Sequence, residues 1–233
     1  MAAPTYGAQG GAVATTISAV ASYPTGITAG DGLVYFVSTN GSAMGSAPAG
    51  FTQLGSTQVG GGMRKAAFTK DTVTGSESGT VTVSGLTGGT KGEAYIVRIS
   101  PGTPGDVLTF TDGSWTDTDA SSTTLTGTGA SWTSTTDTLI LSSYTGLAPT
   151  GSYSANASTP TITQAGASVT TTAQFAGRTG TNTIAYGFQT GAVTSGGTGA
   201  PTFTATTVGA NGAGAGSLIL VSVSAPPPTD YPA

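Results

Sequence analysis

The run Gly30-Asp31-Gly32-Leu33-Val34-Tyr35-Phe36-Val37-Ser38-Thr39 sets the limits on what this chain can become. A Gly-Asp-Gly turn feeds a stretch of aliphatic and aromatic residues, and polar residues end it. Bounded in this way, the stretch reads as a buried strand. A fainter copy follows as Thr136-Asp137-Thr138-Leu139-Ile140-Leu141-Ser142-Ser143-Tyr144-Thr145, with Asp137 standing 106 residues beyond Asp31 (31 to 137). The pair predicts an all-β chain of two tandem β-sandwich domains, jelly-roll or Ig-like, produced by an internal duplication.

The blocks between these runs keep their order. Thr52-Gln53-Leu54-Gly55 is answered by Thr163-Gln164-Ala165-Gly166, Ala66-Ala67-Phe68 by Ala173-Gln174-Phe175, and Glu93 through Ser100 by Ser217 through Ser224. Val13, Thr15, Ile17 and Val20 read as a first strand, and Thr80-Val81-Thr82-Val83-Ser84 alternates at period two. Pro101-Gly102-Thr103-Pro104-Gly105 breaks the pattern and marks a boundary. The expected organisation is an N-terminal arm at 1–12 and a first sandwich at 13–101. A second sandwich follows at 102–225, carrying an insertion around 180–200, and a Pro-rich tail occupies 226–233.

Composition decides against other classes. Only 7% of the residues are charged, against roughly 25% in an ordinary soluble domain, and charge-paired helix formers are missing. Net charge is −4, and no basic cluster exceeds Arg64-Lys65, so nucleic acid is not expected as a partner. No apolar run approaches the length of a membrane span, and the first residues carry no secretory pattern. Neither is a membrane partner expected. The chain has no Cys and no His, which removes thiol chemistry, the commonest general base and the commonest transition-metal ligand.

Few groups are left for chemistry. Ser–Lys catalysis would draw on Lys65, Lys70 or Lys91. Glu77 and Glu93 read as exposed carboxylates and a poor match to a glycosidase pair. Asp106, Asp112, Asp117 and Asp119 gather acidic side chains near Asp112-Gly113-Ser114-Trp115, yet the spacing departs from a Ca²⁺ loop and fits a solvated turn better. Whether Asp112, Asp117 and Asp119 hold an ion stays open at this point. Gly60-Gly61-Gly62 and Gly212 through Gly216 read as turn glycines, not phosphate cradles. Tyr23, Phe51, Phe68, Trp115 and Trp132 fit a sandwich core better than a sugar-stacking face. No catalytic, cofactor-binding or metal-binding residue is assigned, and an enzyme is the least expected reading.

Three blocks carry a resemblance: Gly30 through Ser38, then Pro48-Ala49-Gly50-Phe51-Thr52-Gln53-Leu54-Gly55-Ser56, then Ala66-Ala67-Phe68-Thr69-Lys70. They are similar to a loose group of β-rich virion proteins of tailed bacteriophages, with Phe51 where that group has Trp. The resemblance covers residues 30–100 better than the second half and carries over no catalytic residue. It implies a virion structural protein without cofactors, foremost a capsid decoration (cement) protein bound outside the head. Its implied partners are the major capsid protein, other virion proteins and copies of itself, with a trimer as the analogous assembly. The alternatives are a tail, baseplate or fibre protein binding host glycans, and a bacterial surface adhesin. The implied location is the virion, after synthesis in the host cytoplasm.

Overall fold

The computed structural model describes residues 1–10, 12–14, 19–60, 62–71, 73–89, 92–116, 124–147, 154–179, 184–208 and 214–226. Among them there is no helix. The first half forms strands β1 (Thr5–Gly10), β2 (Ala12–Ala14), β3 (Ala19–Ser22), β4 (Gly32–Thr39), β5 (Thr52–Gly60), β6 (Met63–Lys70), β7 (Thr80–Val83) and β8 (Gly92–Ser100). The second half forms β9 (Val107–Asp112), β10 (Trp115–Thr116), β11 (Thr124–Thr128), β12 (Trp132–Ser134), β13 (Thr138–Leu147) and β14 (Ser154–Thr163). It continues with β15 (Ser168–Thr179), β16 (Ile184–Ser195), β17 (Gly197–Gly199), β18 (Thr202–Val208) and β19 (Gly214–Ser224).

Among the described residues, no sheet mixes the two halves. Before Pro101 the chain makes a large sheet ordered β1-β8-β4-β6-β5 and a small one ordered β2-β3-β7. After it, β10 and β9 both pair with β19, which begins a large sheet continuing β13-β16-β15. The small sheets of this half are β11-β18-β14 and β12-β17. All strand pairs are antiparallel.

Strand alternation explains how these sheets stack. Leu33, Tyr35 and Val37 of β4 point to one side and meet Ala19, Ala21, Val81 and Val83 of the small sheet, together with Phe51 and Phe68. Val34 and Phe36 point to the other side. There they join Tyr95, Val97 and Ile99 of β8 against Leu139, Leu141, Phe188, Ile219 and Val221 of the second half. The far face of that second large sheet packs Ile140, Tyr144, Leu218 and Leu220 on Leu125, Ile162, Phe203 and Trp132. The result is four sheet layers and three apolar seams, the middle seam shared by both halves. Every residue of β4 is buried because both of its faces are covered.

Several expectations change against this architecture. The segment expected as an arm is largely strand β1, paired with β8 from Thr5↔Ser100 to Gly10↔Ile96, so most of it is sheet edge. The first expected strand is two strands: β2 and β3 face each other with Val13 opposite Val20. The segment around 180–200, read as strand-like from Ile184 to Phe188, supplies β16, an interior strand between β13 and β15. Gly214, Ala215 and Gly216, expected in a turn, lie inside β19 opposite Gly146, Thr145 and Tyr144. The tail from 227 onward lies outside the described residues.

The shared seam has a direct consequence for a fragment ending at Pro101. Such a fragment leaves Val34, Phe36, Tyr95, Val97 and Ile99 uncovered. It should bind anilinonaphthalene sulfonate strongly and self-associate at concentrations where the full chain does neither. A monomeric, dye-silent fragment with an intact β circular dichroism signal would show that the middle seam is dispensable.

Candidate functional site

Buried polar side chains mark one end of the middle seam. On the first large sheet, Ser38 of β4 has Lys65 of β6 and Glu93 of β8 as its register neighbours on either side. All three share the face of Val34 and Phe36, because each lies an even number of residues from a seam residue on its own strand. Lys65 and Glu93 are therefore two strands apart, about 9–10 Å at the backbone. The short Ser38 side chain between them leaves room for the two long ones to meet. Lys65 Nζ donates to Glu93 Oε1 at 2.8 Å. The opposite sheet contributes Thr145 of β13, whose hydroxyl accepts from Lys65 Nζ at 3.0 Å and donates to Glu93 Oε1.

The pair is fully enclosed: Lys65 is 0% exposed and Glu93 3%. The rings of Phe36 and Tyr95 lie with their centroids 5.7 and 5.8 Å from Nζ, within cation–π reach. The Tyr95 hydroxyl meets Ser143 Oγ across the seam. Burial pushes the Lys65 ammonium pKa down and the Glu93 carboxyl pKa up, and mutual attraction plus hydrogen bonding offsets this only in part. Glu93 Oε2, Ser38 Oγ and Ser217 Oγ are buried without a hydrogen-bond partner. Lys65 and Glu93 are both closed to solvent. What the geometry offers is proton sharing and reaction between the two side chains themselves.

The structure corrects the reading of Glu93 as exposed. The signal available in the sequence was its phase: Glu93 is two residues before Tyr95, in step with the seam-facing set Tyr95, Val97 and Ile99. The other carboxylate, Glu77, belongs to a surface loop. It accepts from the Thr74 and Gly75 amides at 3.0 and 2.9 Å and pairs with Lys70 at 2.9 Å. Partial burial works against the charge, but these donors outweigh it and hold the carboxyl pKa at about 2.

Asp106 and Asp112 do not converge. Asp106 precedes β9 and Asp112 ends it, so the strand holds them apart, at roughly 3.3 Å per residue. Asp112 accepts from the Ser114 amide at 3.1 Å and from its hydroxyl at 2.5 Å, which is a local turn. Asp117 and Asp119 lie outside the described residues, as does Lys91. Among the described residues, no group of three potential ligands comes together. Phe51, Phe68 and Trp132 are buried in seams, and Tyr23 packs on the first one. The side chain of Trp115 is not among those described.

Comparison with known protein families, curated proteins and solved structures returns no match. The functional reading therefore rests on the residues themselves.

Two outcomes follow from the ionisable groups. Replacing Lys65 by Ala leaves Glu93 enclosed without its partner and should cost about 3–5 kcal/mol in chemical denaturation. For Glu77, a folded pKa below the ordinary value of 4.5 means stabilisation present above that value and lost as pH falls from there towards about 2. Thermal midpoints measured across this window should fall less steeply for Glu77→Gln than for the parent chain, while the two curves run parallel near neutrality.

Proposed function

We propose that the chain is a structural protein of a tailed-phage virion, a capsid decoration protein that binds the outside of the head. The observation that carries this reading is where the resembling blocks fall. Gly30 through Ser38 covers all of β4 but its last residue, Pro48 through Ser56 leads into β5, and Ala66 through Lys70 completes β6. These three strands are neighbours in one sheet, β4-β6-β5, so the resemblance follows a contiguous structural unit.

An internal duplication is part of the same proposal, and hydrogen bonding supports it with a register one residue from the Asp-to-Asp match. The Asp31 amide donates to Thr28 O at 3.1 Å, and the Thr138 amide donates to Thr135 O at 3.1 Å. Each turn opens the central strand of its large sheet. Aligning Asp31 with Thr138 places Leu33 on Ile140, both facing their own small sheet, and Val34 on Leu141, both facing the middle seam. Aligning Asp31 with Asp137 would place Leu33 on Leu139, which face opposite ways. The strand orders agree as well: the edge strand, the last strand, the central strand and two more follow in the same sequence in both sheets.

Assembly by many weak contacts suits the surface. Sparsely charged strands avoid the large penalty of desolvating ions when they pack on a neighbour, and their hydroxyls can hydrogen-bond across the contact. Multivalent attachment around a symmetry axis then multiplies modest affinities. Purified protein should co-sediment stoichiometrically with DNA-filled heads that lack it and raise their resistance to heat. Binding to host cells or their polysaccharide, with none to heads, would overturn the decoration reading in favour of a tail location.

A further inference from the structure

We propose that Lys65 and Glu93 condense into an intramolecular amide in the folded chain, joining β6 to β8 covalently. The proposal stands on the arrangement at the polar end of the middle seam and is independent of the virion reading. Nζ sits 2.8 Å from Oε1, so amine and carboxyl are held in contact by two sheets. Enclosure of that kind supplies the orientation that intramolecular reactions exploit. The two carboxyl oxygens are not equivalent. Oε1 takes hydrogen bonds from both Lys65 and Thr145. Oε2 is buried and has no partner.

That asymmetry assigns the atoms. The ammonium first passes a proton to the carboxylate, giving a neutral amine and a carboxylic acid. Desolvation favours this transfer, since it lowers the lysine pKa and raises the glutamate pKa. The Nζ lone pair attacks Cδ while the Thr145 hydroxyl donates to Oε1, where negative charge develops. The Nζ–Cδ bond forms and the Cδ–Oε2 bond breaks. In the tetrahedral adduct the carboxyl proton, first taken up at Oε1, and one proton from nitrogen pass to Oε2, which departs as water and leaves Oε1 as the oxygen that Thr145 holds. Oxidation states are unchanged, and no co-reactant is required. Oε1 becomes the amide oxygen and keeps Thr145 as its donor.

The product also removes what is costly in the reactant. A buried ion pair gives way to a neutral amide, and the unpartnered Oε2 leaves the protein. Because the released water must escape a closed site, formation is expected to be slow and, once complete, effectively one-way.

Mass spectrometry of the purified, denatured full-length chain tests this. The expected result is a species one water lighter than the sequence requires, with tryptic peptides containing Lys65 and Glu93 recovered as one branched product and no cleavage after Lys65. Lys65→Met should restore the full mass. Thr145→Ala should leave a mixture that converts more slowly during incubation. Asp31-Gly32 and Asp112-Gly113 can lose water as succinimides, but mild alkali reverses those and leaves an amide intact. Full sequence mass after prolonged incubation of the folded parent chain overturns the proposal, as does a water loss mapping to either Asp-Gly site. The parent chain alone decides the matter, so the test survives any failure of a variant to fold.

Discussion

The structure depends on large sheets that are covered on both faces. An antiparallel sheet ordinarily keeps one face in water and alternates apolar with polar residues. Here β4 and β8 are flanked by a small sheet on one side and by the other half of the chain on the other. Successive residues of β4 must then all be compatible with burial, which is why Leu33 through Val37 form an unbroken apolar run. Each large side chain fully enclosed in this way contributes about 1.5–3 kcal/mol. Phe36 and Phe188 meet with centroids 5.7 Å apart from opposite halves, so neither half completes its own packing.

The middle seam is not uniformly apolar. It runs from Leu108, Phe110 and Val223 to Ser38, Lys65, Glu93, Ser143 and Thr145. An enclosed ion pair seldom adds net stability over a well-packed apolar substitute, because both ions lose hydration. The best-attested use of such a pair is to set register. The Lys65–Glu93–Thr145 contact is satisfied in one register of one sheet on the other, whereas apolar faces tolerate sliding. The polar end thereby fixes how two otherwise greasy surfaces dock.

Much of the fold is legible in the sequence. The all-β class is legible, and the runs read at 30–39 and 136–145 overlap strands β4 and β13. Phase is harder to read than strand content. Asp31 and Asp137 match by residue type, but Leu33 faces the first seam and Leu139 the middle one, and a shift of one residue exchanges the two faces of a strand. Ala66-Ala67-Phe68 lie on β6 beside the central strand β4, and Ala173-Gln174-Phe175 resemble them in sequence. The latter lie on β15 at a sheet edge, while the strand beside β13 is β16. Low-complexity Thr, Gly and Ala blocks offer too little side-chain identity to hold an alignment. Glu93 was misjudged because its charge outweighed its phase, and nothing local announces that Thr145, half a chain away, completes its surroundings.

The strand order also governs how the chain emerges during synthesis. The first large sheet is complete once β8 has been made, but its exposed face is covered by β13, β16 and β19, and β19 ends at Ser224. At ribosomal rates of about 5–20 residues per second, that leaves an oily wall open for roughly 6–25 s. Even β9, translated directly after the crossover, waits for β19 as its pairing neighbour. A nascent chain of this design is exposed to chaperones and to its own siblings on the same message for many seconds before it can close.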